Sequence, residues 1–290
     1  MKRTIFAAAI ATALGGMASN ANATTILFND FSSSAGLQLN GNAALATDNG
    51  GRNVLRVTPD MGGQSGSAFS TNAVSLASNA SFSTAFRFRI YSTTGGGACD
   101  GQGCGADGIV FAVQTVSNTA GGAGGGIGYA GLPNSVGIEF DTWNNGAGDA
   151  YSSNHVGIDL NGNMNSVALA TVANEMNNGN VWSAWVDYNG ASDLLELRLA
   201  EGASAARPTS ALLSYTVDLT TYLGTTNAFV GFTSGTGAAW DNHDIVAWQF
   251  NSTYDPIGNI GGTVPEPGTV SLALAAAAAL GVARRKSSKS

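Results

Sequence analysis

The feature that most constrains the fold is a repeated alternation of apolar and polar residues in short runs, separated by clusters of Gly, Asn, Asp and Ser. In the clearest run, residues 81–91, three phenylalanines fall on one face and Arg87 and Arg89 on the other. A period of two is typical of half-buried β-strands. Between residues 24 and 263 there is neither a convincing helical period nor a long linker, so the sequence predicts one all-β domain.

Eleven runs of this kind are predicted as strands. They cover residues 26–31, 53–58, 81–91, 108–114, 136–141, 155–160, 181–188, 194–199, 212–219, 228–233 and 245–250. Asn189-Gly190 opens the turn between two of them, which is a hairpin signal. Many strands without interposed helices indicate a two-sheet sandwich or jelly roll. No internal repeat of fixed period is visible, which excludes propellers and solenoids.

The N-terminus has the pattern of a secretory signal peptide. Met1-Lys2-Arg3 supplies the positive region, residues 4–16 are small and apolar, and Ala21-Asn22-Ala23 fits an A-x-A cleavage site. We predict a signal peptide over residues 1–23, removed by signal peptidase. The alternative interpretation is a buried N-terminal helix.

The C-terminus carries a second sorting pattern. Val-Pro-Glu-Pro at 264–267 precedes an apolar run over 270–283 and the basic residues Arg284-Arg285-Lys286. The run is shorter than the ~20 apolar residues that span a bilayer comfortably. The order of these parts resembles the PEP-CTERM sorting tail, which implies processing by an exosortase in a Gram-negative bacterium, only transient membrane contact, and a final place at the cell surface or in the extracellular matrix. A plain membrane anchor is the alternative.

The charge between the two ends excludes a nucleic-acid partner. Six of the twelve basic residues and Glu266 lie in the terminal segments, which leaves six arginines against eighteen acidic residues, a formal charge of -12, in between. A phosphate backbone requires a basic surface, and this region is strongly acidic.

The chain has two cysteines, Cys99 and Cys104, in a glycine-rich segment. In an exported protein this spacing predicts a disulfide that pins a flexible loop. A two-cysteine metal site is disfavoured because no further ligand lies nearby in the sequence.

One stretch carries the residue types of a metal site. Glu139 and Asp141 are two positions apart on a predicted strand, so their side chains share a face. Asn145, Asp149 and His155 follow closely enough to fold back onto that face. Oxygen ligands alone suit Ca²⁺, whereas a histidine with carboxylates suits a transition ion such as Mn²⁺. The stretch predicts two neighbouring ions, with a solvated acidic loop as the alternative.

The same stretch resembles the metal-binding loop of the legume-type (L-type) lectins. It reads V-G-I-E-F-D-T-W-N-N-G-A-G-D-A-Y-S-S-N-H-V-G-I-D over residues 136–159. Four more segments resemble the family in its order: S-F-S-T-A-F-R-F-R-I at 81–90, A-D-G-I-V-F at 106–111, G-G-G-I-G-Y at 124–129, and V-G-F-T-S-G-T-G with H-D-I-V-A-W-Q-F within 230–250. The resemblance implies a concanavalin A-like jelly-roll sandwich of two antiparallel sheets over residues 24–258, followed by the sorting tail over 259–290.

The resemblance also implies roles for single residues. The calcium ligands would be Asp141, Asn145, Asp149 and the carbonyl of Trp143, and the transition-metal ligands Glu139, Asp141, Asp149 and His155. The sugar site would use the Asp107 carboxylate, a backbone N–H near Gly125 or Gly126, the Asn145 amide and the face of Trp143. The loop at 235–242, with Ala238, Ala239 and Trp240, matches the element that sets sugar preference. The family's cis peptide would fall at Ala106-Asp107.

The sequence also departs from the family pattern. One extra residue separates Asp149 from His155, and Ala150 stands where proline is usual. The cysteine loop has no clear family counterpart. We expect His243 to be structural, and Trp182, Trp185 and Trp248 to be core residues packed in or between the sheets.

The function implied is calcium-dependent binding of cell-surface glycans or extracellular polysaccharide without catalysis, with many copies or a homo-oligomer supplying avidity. One alternative is an inert matrix protein on a lectin scaffold. The other is a laminarinase-like glycoside hydrolase, whose E-x-D-x-x-E motif needs two carboxylates ~5–5.5 Å apart. Here Asn144 occupies the position of the second glutamate.

Overall fold

The computed structural model describes residues 23–260 except positions 77, 102, 122 and 123. Residues 1–22 of the predicted signal peptide and residues 261–290 of the predicted sorting tail lie outside this range. No helix among the described residues has the length and apolar character needed to cross a lipid bilayer.

The regular secondary structure of the described chain is almost wholly β-strand. In chain order they are β1 (Thr25–Phe28), β2 (Leu37–Gly41), β3 (Ala44–Thr47), β4 (Asn53–Thr58), β5 (Ser65–Ser70), β6 (Val74–Ser75), β7 (Phe82–Tyr91), β8 (Gly108–Gln114), β9 (Ser135–Asp141), β10 (His155–Leu160), β11 (Asn163–Thr171), β12 (Trp182–Asn189), β13 (Leu194–Glu201), β14 (Leu213–Thr216), β15 (Asn227–Gly235) and β16 (Asn242–Asn251), with one short helix, α1 (Leu219–Leu223), before β15.

The strands form two antiparallel sheets. The back sheet has the order β14-β13-β12-β7-β16-β4-β3, with β1 also paired to β16. The front sheet has the order β11-β10-β9-β8-β15-β5-β2, with β6 also paired to β15. The predicted all-β sandwich of two antiparallel sheets is therefore confirmed.

An aromatic core lies between the sheets. Phe86 from the back sheet packs against Phe140 and Phe232 of the front sheet, at ring-centroid distances of 5.5 and 5.0 Å. The predicted alternation along β7 is confirmed, because its phenylalanines are buried in this core while Arg87 and Arg89 lie on the opposite face. Aromatic pairs of this geometry stabilise a core beyond the area they bury.

Several predicted boundaries are wrong. The first strand ends at Phe28 rather than at residue 31, and the run predicted over 212–219 contains only the short strand β14. Leu219 begins α1 instead, because the Asp218 side chain accepts a hydrogen bond from the Thr220 backbone N–H (2.9 Å) and caps the helix.

Five strands were not predicted: β2, β3, β5, β6 and β11. The sequence of β5 is Ser-Gly-Ser-Ala-Phe-Ser, in which small residues leave no apolar alternation although the strand is largely buried. The strand β11 carries a weak signal for a different reason, because it lies at an edge of the front sheet and is only partly buried.

The segment after β16 crosses the outer face of the back sheet. Ile257 and Ile260 are buried there against Trp185, Ala85 and Ala247. The Arg87 guanidinium donates to the Ile260 carbonyl at 2.7 Å. The expected burial of Trp182, Trp185 and Trp248 is confirmed. Trp182 and Trp248 lie between the sheets, whereas Trp185 lies on the other face of the back sheet and is covered by this C-terminal strap, residues 252–260.

The strap yields a stability prediction. Replacing Ile257 by alanine should lower the free energy of unfolding by about 2 kcal/mol, because a buried isoleucine is truncated over Trp185. Chemical denaturation with Leu45→Ala as control should show the difference, since Leu45 is 40% exposed and loses little on truncation. Equal stability of Ile257→Ala and the parent protein would contradict the packing of the strap.

Candidate functional site

Two neighbouring strands of the front sheet supply a buried group of metal-binding side chains. On β9, Ile138 and Phe140 point into the core, so Glu139 and Asp141 point outward together. In the register of β10, His155 lies opposite Asp141. Ligand atoms of Glu139, Asp141 and His155 all lie within 4.8 Å of one another, and all three residues are buried.

A glycine on β10 makes room for this group. Gly157 lies opposite Glu139, and a Cβ atom at Gly157 would stand 2.2 Å from Oε1 of that glutamate. Any side chain at this position would therefore displace the carboxylate. The glycine of the H-V-G-I-D segment is a spatial requirement of the site.

The histidine is oriented for metal binding. Its Nδ1 lies 3.2 Å from the carbonyl oxygen of Ser152, and because a carbonyl only accepts, Nδ1 is the donor of this hydrogen bond. Nε2 is buried, has no hydrogen-bond partner among the described residues, and lies 3.4 Å from Glu139 Oε1. A histidine whose Nδ1 is fixed by a backbone carbonyl and whose Nε2 lies beside carboxylates is a common arrangement of metal ligands, so these residues fit a metal ion.

The electrostatics of the carboxylates lead to the same conclusion. Burial and the negative charges of Glu139 and Asp149 raise the pKa of Asp141 well above its usual value. Burial also raises the pKa of Asp149, although the hydrogen bond from the Asn145 N–H opposes this rise. Clustered buried carboxylates of this kind require a cation or a proton.

The loop after β9 is tied by its backbone to two of the carboxylates that the family resemblance assigns as metal ligands. The Trp143 backbone N–H donates to Asp141 Oδ1 at 2.6 Å, and the Asn145 backbone N–H donates to the Asp149 carboxylate. Asp149 is buried, whereas the Asn145 side chain is exposed. The loop thus holds Asp149 beside the metal group and presents Asn145 to a ligand from outside.

The extra residue before His155 is absorbed in a turn. Asp149 ends a short 3₁₀ turn, after which Ala150 and Tyr151 both have left-handed φ angles of 50° and 61°. The Tyr151 N–H then donates back to the Gly146 carbonyl at 2.9 Å. His155 consequently still reaches Asp141 despite the longer spacing.

Three other loops surround this group. The Asp107 backbone N–H donates to the carbonyl of Gly235 at the end of β15 (3.2 Å). Its carbonyl accepts from the Thr142 N–H of the metal loop (3.0 Å). The peptide bond between Ala106 and Asp107 is cis, as the family resemblance implies. Asp107 is 4% exposed, Oδ2 has no partner among the described residues, and burial raises its pKa to about 7.

The glycine turn lies against the metal loop. Gly124–Gly126 forms a 3₁₀ turn, and a Cβ atom on Gly125 would be 3.1 Å from Asn145 Oδ1. Gly126 is half-buried in the same turn. The structure therefore brings the glycine turn and the exposed amide of Asn145 together.

The loop at 235–242 closes the site near Asp107, since a Cβ on Gly237 would lie 3.8 Å from Asp107 Oδ2. Ala238 is exposed, whereas Ala239 is 2% exposed, so the side chain of Ala239 is withdrawn from the surface. The Trp240 ring packs on Gly62 and Gly97, and its Nε1–H donates to Thr94 Oγ1 at 2.9 Å.

The sequence analysis missed Asp159, a buried carboxylate that shares the Ser166 hydroxyl with Glu139. The Ser166 hydroxyl lies 2.6 Å from Glu139 Oε1 and 2.8 Å from Asp159 Oδ1. Burial and the charge of Glu139 raise the pKa of Asp159 to about 9. Asp159 is four positions after His155 on β10 and so on the same face, which is the signal that would have found it.

Two family models match the chain. The model of the family described as the legume lectin domain matches residues 23–262, and that of the PEP-CTERM protein-sorting motif matches residues 263–287. The second motif marks proteins for export and sorting.

Individual relatives match over more limited lengths. The L-type lectin-domain containing receptor kinase VIII.1 of Arabidopsis thaliana is 32% identical over 198 residues, which cover 64% of this chain and 26% of the kinase. The bark lectin of Styphnolobium japonicum is 32% identical over 188 residues, 61% of this chain and 63% of the lectin. The chain thus matches about a quarter of the kinase and under two thirds of the lectin.

Solved structures share the fold. A peanut lectin structure superposes with a TM-score of 0.62 at 23% identity, covering 80% of this chain and 97% of the lectin. The family match extends over the whole sandwich and includes the strands and loops that carry the site. The chain therefore belongs to the legume lectin family of carbohydrate-binding proteins.

Proposed function

We propose that this chain is a calcium-dependent glycan-binding protein, exported by a Gram-negative bacterium and acting on cell-surface glycans or extracellular polysaccharide. The observation that carries the proposal is the buried group of Glu139, Asp141 and His155, whose unpartnered Nε2 faces two carboxylates. This group lies beside the loop that presents Asn145 and the loop that holds Asp107.

The ligand sets are those that the family resemblance implies. Asp141, Asn145, Asp149 and the Trp143 carbonyl would hold Ca²⁺, which prefers oxygen ligands. Glu139, Asp141, Asp149 and His155 would hold Mn²⁺ or another transition ion. When bound, the ions neutralise the buried carboxylates and fix the orientation of Asn145.

The polar groups around the metal site suit sugar hydroxyls. The Asp107 carboxylate would accept hydrogen bonds, the Asn145 amide would donate one, and a backbone N–H of Gly125 or Gly126 would donate another. The face of Trp143 would pack on the C–H surface of the ring, and the loop with Ala238, Ala239 and Trp240 would select among sugars. A few fixed polar groups beside an aromatic ring are typical of small-ligand sites.

Such a site binds one sugar weakly, so avidity requires several sites on one surface or in a homo-oligomer. No catalytic step is needed, because every group named acts by metal coordination, hydrogen bonding or packing. The domain over residues 24–258 would carry this activity, and the terminal segments would direct export.

A glycan array with secreted protein tests the proposal. Binding in Ca²⁺ that disappears with a chelator is the expected result. Binding that survives the chelator would contradict calcium dependence. Sugar release from a polysaccharide would favour the hydrolase alternative, and neither binding nor release would favour the inert scaffold.

The sorting tail gives a separate prediction. The Val264-Pro265-Glu266-Pro267 motif precedes a short apolar run and a basic end, so exosortase processing should remove everything after about Pro267. Intact-mass measurement of the exported protein should show that loss, and a strain without exosortase serves as control. A mature protein that retains Arg284 and Arg285 would contradict processing.

A further inference from the structure

A long loop between β7 and β8 contacts both the metal loop and the loop at 235–242 of the candidate sugar site. We define this disulfide loop as residues 92–101 and 103–105. The Cys99–Cys104 disulfide closes its tip, and its last residue leads directly into Ala106-Asp107. The loop has no clear counterpart in the family resemblance.

The first part of the loop is anchored on a buried carboxylate. Asp60 accepts hydrogen bonds from the Ser92 hydroxyl (2.8 Å), the Thr93 hydroxyl (2.8 Å) and the Thr94 backbone N–H (3.0 Å). The Ser92 oxygen in turn accepts from the Gly96 N–H at 2.7 Å. Hydrogen bonds to an ionised group are among the stronger ones, so this end of the loop is fixed.

The middle of the loop pairs with the loop that matches the family's specificity element. Gly97 and Ala239 form an antiparallel bridge. The Ala98 N–H donates to the Ala238 carbonyl (3.0 Å), and the Trp240 N–H donates to the Gly96 carbonyl (2.9 Å).

Gly97 is required for this close approach. Its φ is +72°, and a Cβ atom there would stand 2.5 Å from both the Ala238 carbonyl oxygen and the Trp240 ring. A side chain at this position would therefore push the two loops apart.

The tip of the loop reaches the metal loop. Asp100 Oδ2 accepts the backbone N–H of Asn144 at 3.1 Å, next to Asn145. The tip is itself closed by the disulfide and by the Asp100 N–H, which donates to the Gly103 carbonyl at 3.0 Å. The Asn177 side chain donates to the Cys104 carbonyl at 3.2 Å and fixes the tip from the other side.

We propose that the disulfide loop is an additional specificity-determining wall of the sugar site and that Asp100 is its main positioning residue. The inference rests on the proposed function. The loop leads into Asp107 and is bonded to the 238–240 backbone and the Asn144 amide, so it holds the metal loop and the loop at 235–242 in place around Asp107. Asp100 acts through the Asn144 amide and touches no sugar.

Two substitutions of Asp100 distinguish the loss of its hydrogen-bond acceptor from the loss of its negative charge. Asp100→Ala removes the acceptor for the Asn144 N–H and should weaken glycan binding about tenfold, as expected for loss of one hydrogen bond to a charged group. Asp100→Asn keeps an acceptor oxygen and should bind much as the parent does. The double variant Cys99→Ser/Cys104→Ser should change the relative preferences across the array, because the wall loses its covalent closure.

The measurements are glycan-array affinity and the calcium-dependent rise in melting temperature, with Asp30→Ala as control. Asp30 is an exposed carboxylate that binds only its neighbour Ser32, so its removal should leave both readouts unchanged. The Asp100→Ala variant should lose affinity while retaining the calcium-dependent rise. Parent-like affinity and preference in both Asp100→Ala and the double serine variant would overturn the proposal.

Hydrogen exchange keeps the inference testable if the parent binds no glycan and the proposed function fails. In Ca²⁺, amides at 143–146 and 236–241 should exchange faster in Asp100→Ala and in the double serine variant than in the parent and Asp30→Ala. Unchanged protection in both segments would show that the loop does not hold them.

Discussion

Replacing Asp141 by alanine is expected to abolish the gain in melting temperature that Ca²⁺ gives the parent protein. Asp141 is 1% exposed and lies within the group formed with Glu139 and His155, and it is assigned to both ions. A ligand at a hundred times its dissociation constant stabilises the native state by about 2.7 kcal/mol. For a domain of this size that corresponds to a rise of roughly 5–10 °C.

The control is a carboxylate that is equally buried but lies on the other sheet. Asp187 is 1% exposed and is held by Arg207 at 2.7 Å. Asp187→Ala should lower the melting temperature because it leaves a guanidinium without its partner, yet the calcium-dependent gain should persist. Thermal denaturation of the parent and both variants, with Ca²⁺ and with a chelator, measures the two effects separately.

Removing the charge of Asp141 should have the opposite effect on the melting temperature when no metal is bound. In a chelator, Asp141→Asn should melt at or above the parent temperature, because it removes one of several clustered negative charges that no cation then offsets. A calcium-dependent gain in Asp141→Ala would exclude Asp141 as a ligand. A parent protein that melts identically with Ca²⁺ and chelator would contradict the whole metal assignment.

The part of the site that the sequence could predict depends on short-range geometry. Glu139 and Asp141 share a face because strand side chains alternate, and no tertiary information is needed for that conclusion. The alternation along β7 likewise places its phenylalanines in the core. The family motifs added the cis peptide at Ala106-Asp107, which the spacing of residues alone could not indicate.

The remaining features depend on contacts between distant parts of the chain. Nothing local indicates that Ile257 covers Trp185, because the burial of that tryptophan is produced by a segment about seventy residues later. The hydrogen bond from the Asn144 amide to Asp100 likewise joins residues 44 positions apart. Strands of small residues such as β5 were not predicted, because a buried strand with few large apolar side chains shows no alternation of apolar and polar residues.

The sugar site should fail at Asp107 without loss of the fold. Asp107 Oδ2 is buried with no hydrogen-bond partner among the described residues, while the backbone on either side of the carboxylate is fixed by Gly235 and Thr142. A carboxylate with a free acceptor at the edge of the metal group is suited to sugar hydroxyls. In Asp107→Asn one oxygen becomes an NH₂ donor, so a hydroxyl proton loses its acceptor.

Hydrogen bonds to charged groups contribute ~1.5–3 kcal/mol, so Asp107→Asn should weaken binding roughly ten- to hundredfold, below detection for a weak monovalent ligand. Trp143→Ala should weaken it less, because stacking is lost while the polar contacts remain. The calcium-dependent rise in melting temperature should be unchanged in Asp107→Asn, which separates loss of the sugar site from loss of the metal site. If Asp107→Asn binds the array as the parent does, the sugar contacts lie elsewhere on the domain, and the geometry around Asp107 serves only to hold the metal loop.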